Sequence, residues 1–524
     1  VKRFVLIAII LLLSLFMIAC SADAPATPEQ EINLTAATAP LPHLLPEGTL
    51  LAVEFHDLAR RWSEIRAVRP LVQLQDRLLA AAGLTPDVVP VLAGDHAVFA
   101  LVTGSRDHAL VPIVLLKPLG TQVGVAAESL GPNWSMVRAR GALWVAPTEA
   151  VAALRRIAVG DGTSLAGAQP LDEMEDRLPP GGLVRGWINP SALKPLLRGR
   201  IQVPLSGLVH AIAASLAAEL EVVRWIGFRR DLEPGRLVGD AITVYDLRRL
   251  PNEIARVLDP GATAVRLPAS VPEDVVLAAV FRPEAGAALP WLHFVAAQDR
   301  ESPLRNIGFW VEEFESRFGR SLAHGLFGAI GERAWFLILR PGPAGSHRWA
   351  LAFESPQPRL VEATVLDLLD WSADHAWPRT LGLAVPRVRI LKRNGVTIHE
   401  VTIRTPFGEA VGPVFAASAG FFVVAAAETT LLRATAVLEN GAFTLTANEA
   451  EQSTAAHASL WLRGTALAGA VESVLALDES EAGCRDLAQA VGELLSGVSF
   501  VSARAWYESD AVRMHGELQL GDQH

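Results

Sequence analysis

Residues 94–116 read GDHAVFALVTGSRDHALVPIVLL, and the fold class turns on how they are read. Two short apolar runs, HAVFALV and ALVPIVLL, follow one another with only a turn between them. Strands that succeed one another in this way indicate antiparallel sheet, and helices elsewhere in the chain make the class α+β rather than strictly wound βαβ. The entry to this stretch occurs twice. Gly94-Asp95-His96-Ala97 leads into VFALV, and Gly331-Glu332-Arg333-Ala334 leads into Trp335-Phe336-Leu337-Ile338-Leu339.

Working outward from these two points, the chain reads as a duplication. Leu45-Pro46-Glu47-Gly48-Thr49 opens LLAVEF, and Leu267-Pro268-Ala269-Ser270-Val271 opens VVLAAVF. Leu143-Trp144-Val145-Ala146 matches Phe421-Phe422-Val423-Val424, each feeding a helix, through Thr148-Glu149 and Glu428-Thr429. Asp161-Gly162 and Asn440-Gly441 stop those helices, since Gly just past a helix end is the usual terminator. Trp187 heads a segment that matches the one headed by Trp461, and VVRWIGF (222–228) matches VSFVSAR (498–504). The spacing agrees: Trp144 to Trp187 is 43 residues and Phe422 to Trp461 is 39, then Trp187 to Trp225 is 38 and Trp461 to Phe500 is 39.

The expected architecture is therefore α+β, two related repeats, each a largely antiparallel sheet with packed helices. Repeat one spans 44–249, a Pro/Gly-bearing connector 250–266, and repeat two 267–521. Helical spacing of apolar residues marks TEAVAALRRIAV (148–159), PLSGLVHAIAASLAAEL (204–220), TTLLRATAVLEN (429–440) and CRDLAQAVGELLSG (484–497). The second half is longer. Part of the excess is RILKRNGVTIHEVTI, a hairpin predicted around Asn394-Gly395. The Leu45-Pro46 opening, the Gly-acidic-x-Ala entries at Gly94 and Gly331, and the stretch from Asn394-Gly395-Val396-Thr397 through Phe421-Phe422-Val423-Val424 together resemble an uncharacterised family of exported bacterial proteins, often duplicated. That resemblance implies fold and export and implies no reaction.

Export also follows from the first 20 residues. Lys2 and Arg3 precede an apolar run from Phe4 to Ile18, broken only by Ser14, and Met17-Ile18-Ala19-Cys20 closes it. Basic start, short apolar core and small residues at the cut are the parts of a signal peptide. The run is short of the roughly 20 residues a membrane-spanning helix needs. The tetrad resembles the bacterial lipoprotein lipobox, with Met17 where that family usually has Leu. The resemblance implies that 1–19 is a signal peptide and that Cys20 is lipidated, anchoring the chain in the cell envelope. Ser21 rather than Asp after the cysteine favours the outer membrane, facing the periplasm, in an envelope with two membranes. Residues 20–43 then read as a flexible tether, rich in Ala, Pro, Thr and Glu without an apolar period.

The net charge is −10, and becomes −12 once Lys2 and Arg3 leave with the signal peptide. An acidic body argues against nucleic acid as a partner. Cys20 and Cys484 are the two cysteines, so lipidation of the first leaves no disulfide framework. Cys484 is expected to be a buried thiol on a helix.

Chemistry was sought by motif. No two histidines have the one-turn spacing of a zinc protease. His96 and His108 flank a predicted hairpin and could approach each other, but cross-strand proximity of two histidines alone assigns no metal site. Gly162-Thr163-Ser164-Leu165-Ala166-Gly167 and Gly319-Arg320-Ser321-Leu322-Ala323-His324 miss the second glycine of a nucleophile elbow. The acidic sets Asp172, Glu173, Glu175, Asp176 and Glu312, Glu313, Glu315 read as solvated helix faces. Phe309, Trp310, Phe314 and Phe318 read as a core stripe. Of 13 tryptophans, Trp144, Trp187, Trp225, Trp335 and Trp461 fall on repeat-related strands and are expected in the core. Trp291, Trp310, Trp371 and Trp377 are the candidates for a binding surface. No catalytic residue, metal ligand or cofactor is assigned. The expected function is a membrane-anchored binding or scaffold lipoprotein with an envelope protein or apolar small molecule as partner. A periplasmic carrier of an apolar ligand, or an enzyme whose site follows no motif, are the alternatives.

Overall fold

From Leu51 onward, side chains of Thr49–His56, the first strand (β1), divide by parity between two sides of a sheet. Leu51 and Val53 enter one core, Ala52 enters another, and Glu54 and His56 follow Ala52 on its side. The same alternation builds the remaining strands. In the computed structural model the described residues are 41–46, 49–67, 96–103, 110–117, 134–139, 142–148, 152, 155, 169–179, 181–190, 220–250, 252–255, 275–283, 285–298, 306–340, 348–374, 386–405, 408–439, 456–463 and 498–520.

In the first half the strands after β1 are β2 (His96–Thr103), β3 (Leu110–Leu116), β4 (Trp134–Ala139), β5 (Ala142–Pro147), β6 (Val184–Ile188), β7 (Val223–Glu233) and β8 (Arg236–Tyr245). The second half carries β9 (Val275–Phe281), β10 (Ala334–Leu339), β11 (Trp349–Glu354), β12 (Pro386–Arg393), β13 (Val396–Thr405), β14 (Gly408–Ser418), β15 (Phe421–Ala425), β16 (Ala458–Arg463), β17 (Val498–Tyr507) and β18 (Ala511–Leu520). Helices are α1 (Leu58–Ala67), α2 (Gln169–Arg177), α3 (Asn252–Ala255), α4 (Ala288–Gln298), α5 (Ile307–Phe318), α6 (Pro358–Asp374) and α7 (Glu428–Glu439). The class is α+β with antiparallel sheet dominant.

Among the described residues every pairing is antiparallel, and the pairings join 18 strands into one sheet. Its order is β4-β5-β3-β2-β1-β6-β7-β8-β18-β17-β16-β9-β10-β11-β15-β14-β13-β12. The two halves meet where β8 pairs with β18, from Ala511↔Val244 to Gln519↔Arg236. The runs of residues 94–116 do pair, with Ala97 opposite Leu116 and Val102 opposite Val111.

Three large cores follow. One face of the first half packs Trp144, Trp187, Trp225 and Ile113 under α2 (Met174) and a 3-10 turn at Leu41–Leu44. One face of the second half packs Trp335, Leu337 and Val423 against Leu431 and Ala434 of α7. A third core crosses the seam, joining Leu51, Val53, Ile226 and Phe228 to Ala458, Ala505, Val512 and Met514, with Trp291 and Phe294 of α4 against it. Leu41 and Leu44 are buried, so the tether expected over 20–43 gives way to the folded body by Leu41. Residues 1–40, with the expected signal peptide and Cys20, lie outside the described residues, as do Cys484, the expected helix at 484–497, and those at 148–159 and 204–220 apart from residues 148, 152, 155 and 220. No helix among the described residues is long and apolar enough to cross a membrane.

The β12–β13 hairpin forms as expected. Asn394 and Gly395 carry φ of 51° and 79°, the left-handed pair a two-residue turn of this hand requires. One expected equivalence is shifted. Leu143 lies opposite Leu116 and Phe422 opposite Phe353, and each of those partners sits across from the alanine that begins the preceding ladder, Ala97 or Ala334. Leu143, not Trp144, therefore occupies the place of Phe422. A one-residue slip matters because it reverses the face. Trp144 and Val423, one residue on in each strand, are both buried in a core.

Candidate functional site

The face of β1 that buries Ala52 becomes polar toward the strand's end. Glu54 and His56 lie two residues apart and so project to the same side. The β1–β2 register sets His56 opposite His96, and the β1–β6 register sets Glu54 opposite Arg185. Each of the three strands turns from the same core toward this spot: Ala52, Val98 and Trp187 are buried one step further in.

The Glu54 carboxylate serves both imidazoles. His96 Nε2 lies 2.5 Å from Glu54 Oε1, and His56 Nε2 lies 3.2 Å from Glu54 Oε2. The rings stack at 5.0 Å between centroids, 17° from parallel. Glu54 is 13 % exposed, His96 21 % and His56 36 %. Burial works to raise the Glu54 pKa, but hydrogen bonding to His56 and His96, with their charges, outweighs it and brings the carboxyl down to about 2. The hydrogen bond to Glu54 raises the His56 pKa against burial and the nearby Arg185 charge, with Asp57 adding to the rise. The backbone is pinned as well: His56 N–H donates to Leu183 O at 3.0 Å. Arg185 donates through Nη2 to Met174 O at 3.4 Å, while its buried Nε has no hydrogen-bond partner among the described residues. Two imidazoles and a carboxylate, with ligand atoms all within 4.8 Å of one another, can hold a cation or shuttle a proton.

The sequence motif search did not bring these residues together. It paired His96 with His108, which lies outside the described residues, and lacked a carboxylate. The partners are His56 and Glu54, 40 and 42 residues away in sequence on the neighbouring strand. The alternation Glu54-Phe55-His56 was the available signal, since it places two polar groups on one strand face.

The tryptophan candidates separate. Trp371 is 2 % exposed and meets Phe314 edge-on at 6.1 Å in a core with Leu322, so it offers no surface for binding; α6 turns it inward against α5. Trp310 packs partly into the same core, and Trp291 lies half-buried beside Phe294 over the seam core. Trp377 lies outside the described residues. Phe314 is fully buried, whereas Phe309 is 65 % exposed and stands off the stripe to which it was assigned. Trp144, Trp187, Trp225 and Trp335 are buried, and Trp461 is half-buried with the Arg463 guanidinium 5.3 Å from its ring centroid. Nor is Glu173 a solvated acid: it accepts from Arg224 Nη2 at 2.8 Å and Trp225 Nε1 at 3.1 Å. Glu315 accepts the Leu322 N–H at 2.9 Å and caps the π-helical turn Leu322–Phe327.

Compared with protein-family models, with curated proteins and with solved structures, the chain matches none.

Proposed function

We propose that the chain is a lipid-anchored envelope protein whose body is two fused copies of one α+β repeat, and that it works by binding rather than by catalysis. The anchor rests on Met17-Ile18-Ala19-Cys20 and the apolar run before it. Its location is the envelope, with Ser21 favouring the outer membrane where there are two.

The strand registers support the duplication. Ala52 lies between Trp187 and Ala100, and Ala278 between Trp461 and Leu337. Counted one residue on, Phe99 and Phe336 hold matching places opposite Val53 and Ala279. Gly227 opposite Trp187 answers to Ser502 opposite Trp461, and each ladder shifts register nearby, at Val223/Trp225 and Val498/Phe500. Hydrogen bonds outside the ladders repeat too: His56 N–H to Leu183 O answers to Arg282 N–H to His457 O. The β12–β13 hairpin, at the far edge of the second half, accounts for part of that half's extra length.

The observation that carries the binding reading is the Glu54–His56–His96 cluster. The matching positions in the second half are Val280, Arg282 and Arg333. Val280 is fully buried, so the fold is satisfied there by an apolar side chain. The polar set is thus a property of one copy and not a requirement of the repeat. Partly buried aromatics at the seam, Phe55, Phe99, Phe281, Trp291 and Phe294, favour a second reading in which the partner is apolar.

The anchor is tested by metabolic labelling with a fatty acid in a host that processes lipoproteins. The unaltered chain is expected to carry label and Cys20→Ser to carry none. A labelled Cys20→Ser chain would remove this reading.

A further inference from the structure

We propose that Glu54, His56 and His96 form a two-histidine, one-carboxylate site for a divalent transition-metal ion of the zinc class. The inference deepens the binding reading above and takes its biological sense from it, while its geometry stands on the cluster alone. Imidazole nitrogen suits zinc, copper, nickel and cobalt, whereas calcium and magnesium take oxygen ligands. Both rings direct Nε2 at the same carboxylate, which places three ligand atoms around one point. They all lie within 4.8 Å of one another. Bonds of about 2.0–2.1 Å to nitrogen and 2.0–2.2 Å to oxygen bring ligand atoms to tetrahedral positions around a zinc-sized ion. Reaching that arrangement needs the ligand atoms to part from their present contacts of 2.5 Å and 3.2 Å by side-chain adjustment within the cluster. Binding takes the Nε2 lone pair of each ring, so each ring carries its one hydrogen on Nδ1 and any second proton passes to solvent.

The scaffold suits such a site. The ligands sit on two directly paired strands, and the His56 backbone is tied to the β6 end through Leu183. Three protein ligands leave one coordination position for water or another donor. Arg185 faces Glu54 across the β1–β6 ladder, and its buried Nε lacks a partner among the described residues. Its positive charge weakens a bare cation's hold. A metal-bound anion, hydroxide included, in the fourth position would supply this N–H with an acceptor and offset that repulsion. The second half has no equivalent, because Val280, Arg282 and Arg333 offer no ligand there and Arg333 is committed to Glu354 at 2.7 Å and 2.9 Å. Among the described residues the cluster is therefore the one group of this kind, and it takes one ion.

The test uses the untagged full chain, stripped with a chelator and titrated with Zn²⁺ by calorimetry and with Co²⁺ by visible absorption. One Zn²⁺ per chain and a tetrahedral-type cobalt spectrum are expected. His56→Ala and His96→Ala should each weaken Zn²⁺ by about a hundredfold or more, since even loss of a group supporting a ligand costs about 10–100-fold. His293→Ala, on the exposed side of α4, should bind as the unaltered chain does. Where an alanine variant fails to fold, Glu54→Gln keeps the volume and the ring contacts, and should still lose affinity and the cobalt spectrum. Absence of Zn²⁺ uptake by the unaltered chain, or uptake unchanged in the folded variants, overturns the site. Neither result touches the anchor, which stands or falls with labelling at Cys20.

Discussion

At the scale of single residues, the buried polar contacts decide what can be changed. Trp225 is 1 % exposed, and its indole N–H has Glu173 as its acceptor. The same carboxylate takes Arg224 and stands 3.1 Å from Arg177. Glu173→Ala leaves the indole N–H buried without an acceptor. That should cost about 1–3 kcal/mol, read as a lower midpoint in urea at unchanged slope. Gly186 answers a different need. A Cβ there would lie 2.7 Å from Ala52 O and 2.4 Å from the Phe228 ring. Overpacking of this kind costs about 1–3 kcal/mol, so Gly186→Ala should melt earlier than the parent chain. The role of Glu173 was hidden in the sequence because its neighbours Asp172, Glu175 and Asp176 are exposed, and an acidic run does not reveal which member turns inward.

At the scale of elements, what was legible is what local chemistry dictates. The alternating or continuous apolar runs became strands, and Asn394-Gly395 closed its hairpin because both positions need left-handed backbone. The apolar spacing of TTLLRATAVLEN placed Leu431, Ala434 and Val437 on the buried face of α7. Register was less legible. Trp144 was matched to Phe422 by chemical likeness, whereas the ladders match it to Val423, because strand pairing counts hydrogen bonds and ignores side-chain size. The metal-type cluster was missed for the same reason: Glu54 and His56 meet His96 only once β1 and β2 are set in register. Gly395→Ala tests the element directly. No atom lies within 4 Å of the added carbon, so the cost is backbone strain alone, about 1 kcal/mol. It should appear as faster amide exchange confined to β12 and β13.

At the scale of the whole molecule, the seam between β8 and β18 joins the halves in backbone, core and charge. Leu51 and Val512 share one core across it, Arg177 of α2 grips Asp510 at 2.7 Å and 2.9 Å, and Arg236 reaches Glu517 at 2.9 Å. Calorimetry should therefore show one unfolding transition rather than two. The seam also sets a response to acid. Hydrogen bonding to His515, with the Arg229 and Arg230 charges, lowers the Asp240 pKa against burial, and hydrogen bonding to Arg177 lowers that of Asp510. A carboxyl depressed in the folded state contributes stability above its ordinary value of 3.8 and loses it as pH falls through the lower folded value. The melting temperature should thus drop below about pH 4, and Asp510→Asn should flatten that drop.

The centre of the seam carries the sharpest test. Under the proposed duplication Asp240 and His515 are equivalent positions, since Arg229 and Arg504 precede them across matching ladders. They also face each other in the β8–β18 register, 3.0 Å apart from Asp240 Oδ1 to His515 Nδ1. The local twofold axis relating the copies therefore runs through this pair. Two identical copies meeting here would set aspartate against aspartate, and the histidine in one copy removes that conflict. His515→Asp restores it. At neutral pH the variant should lose about 2 kcal/mol, the worth of a hydrogen bond to a charged group, with repulsion adding to the loss. Protonation of one carboxylate relieves the repulsion, so the variant's melting temperature should rise as pH is lowered from 7 toward 5. A variant that melts like the parent across that range would mean that positions 240 and 515 do not face each other, and the register argument for two copies would lose its centre.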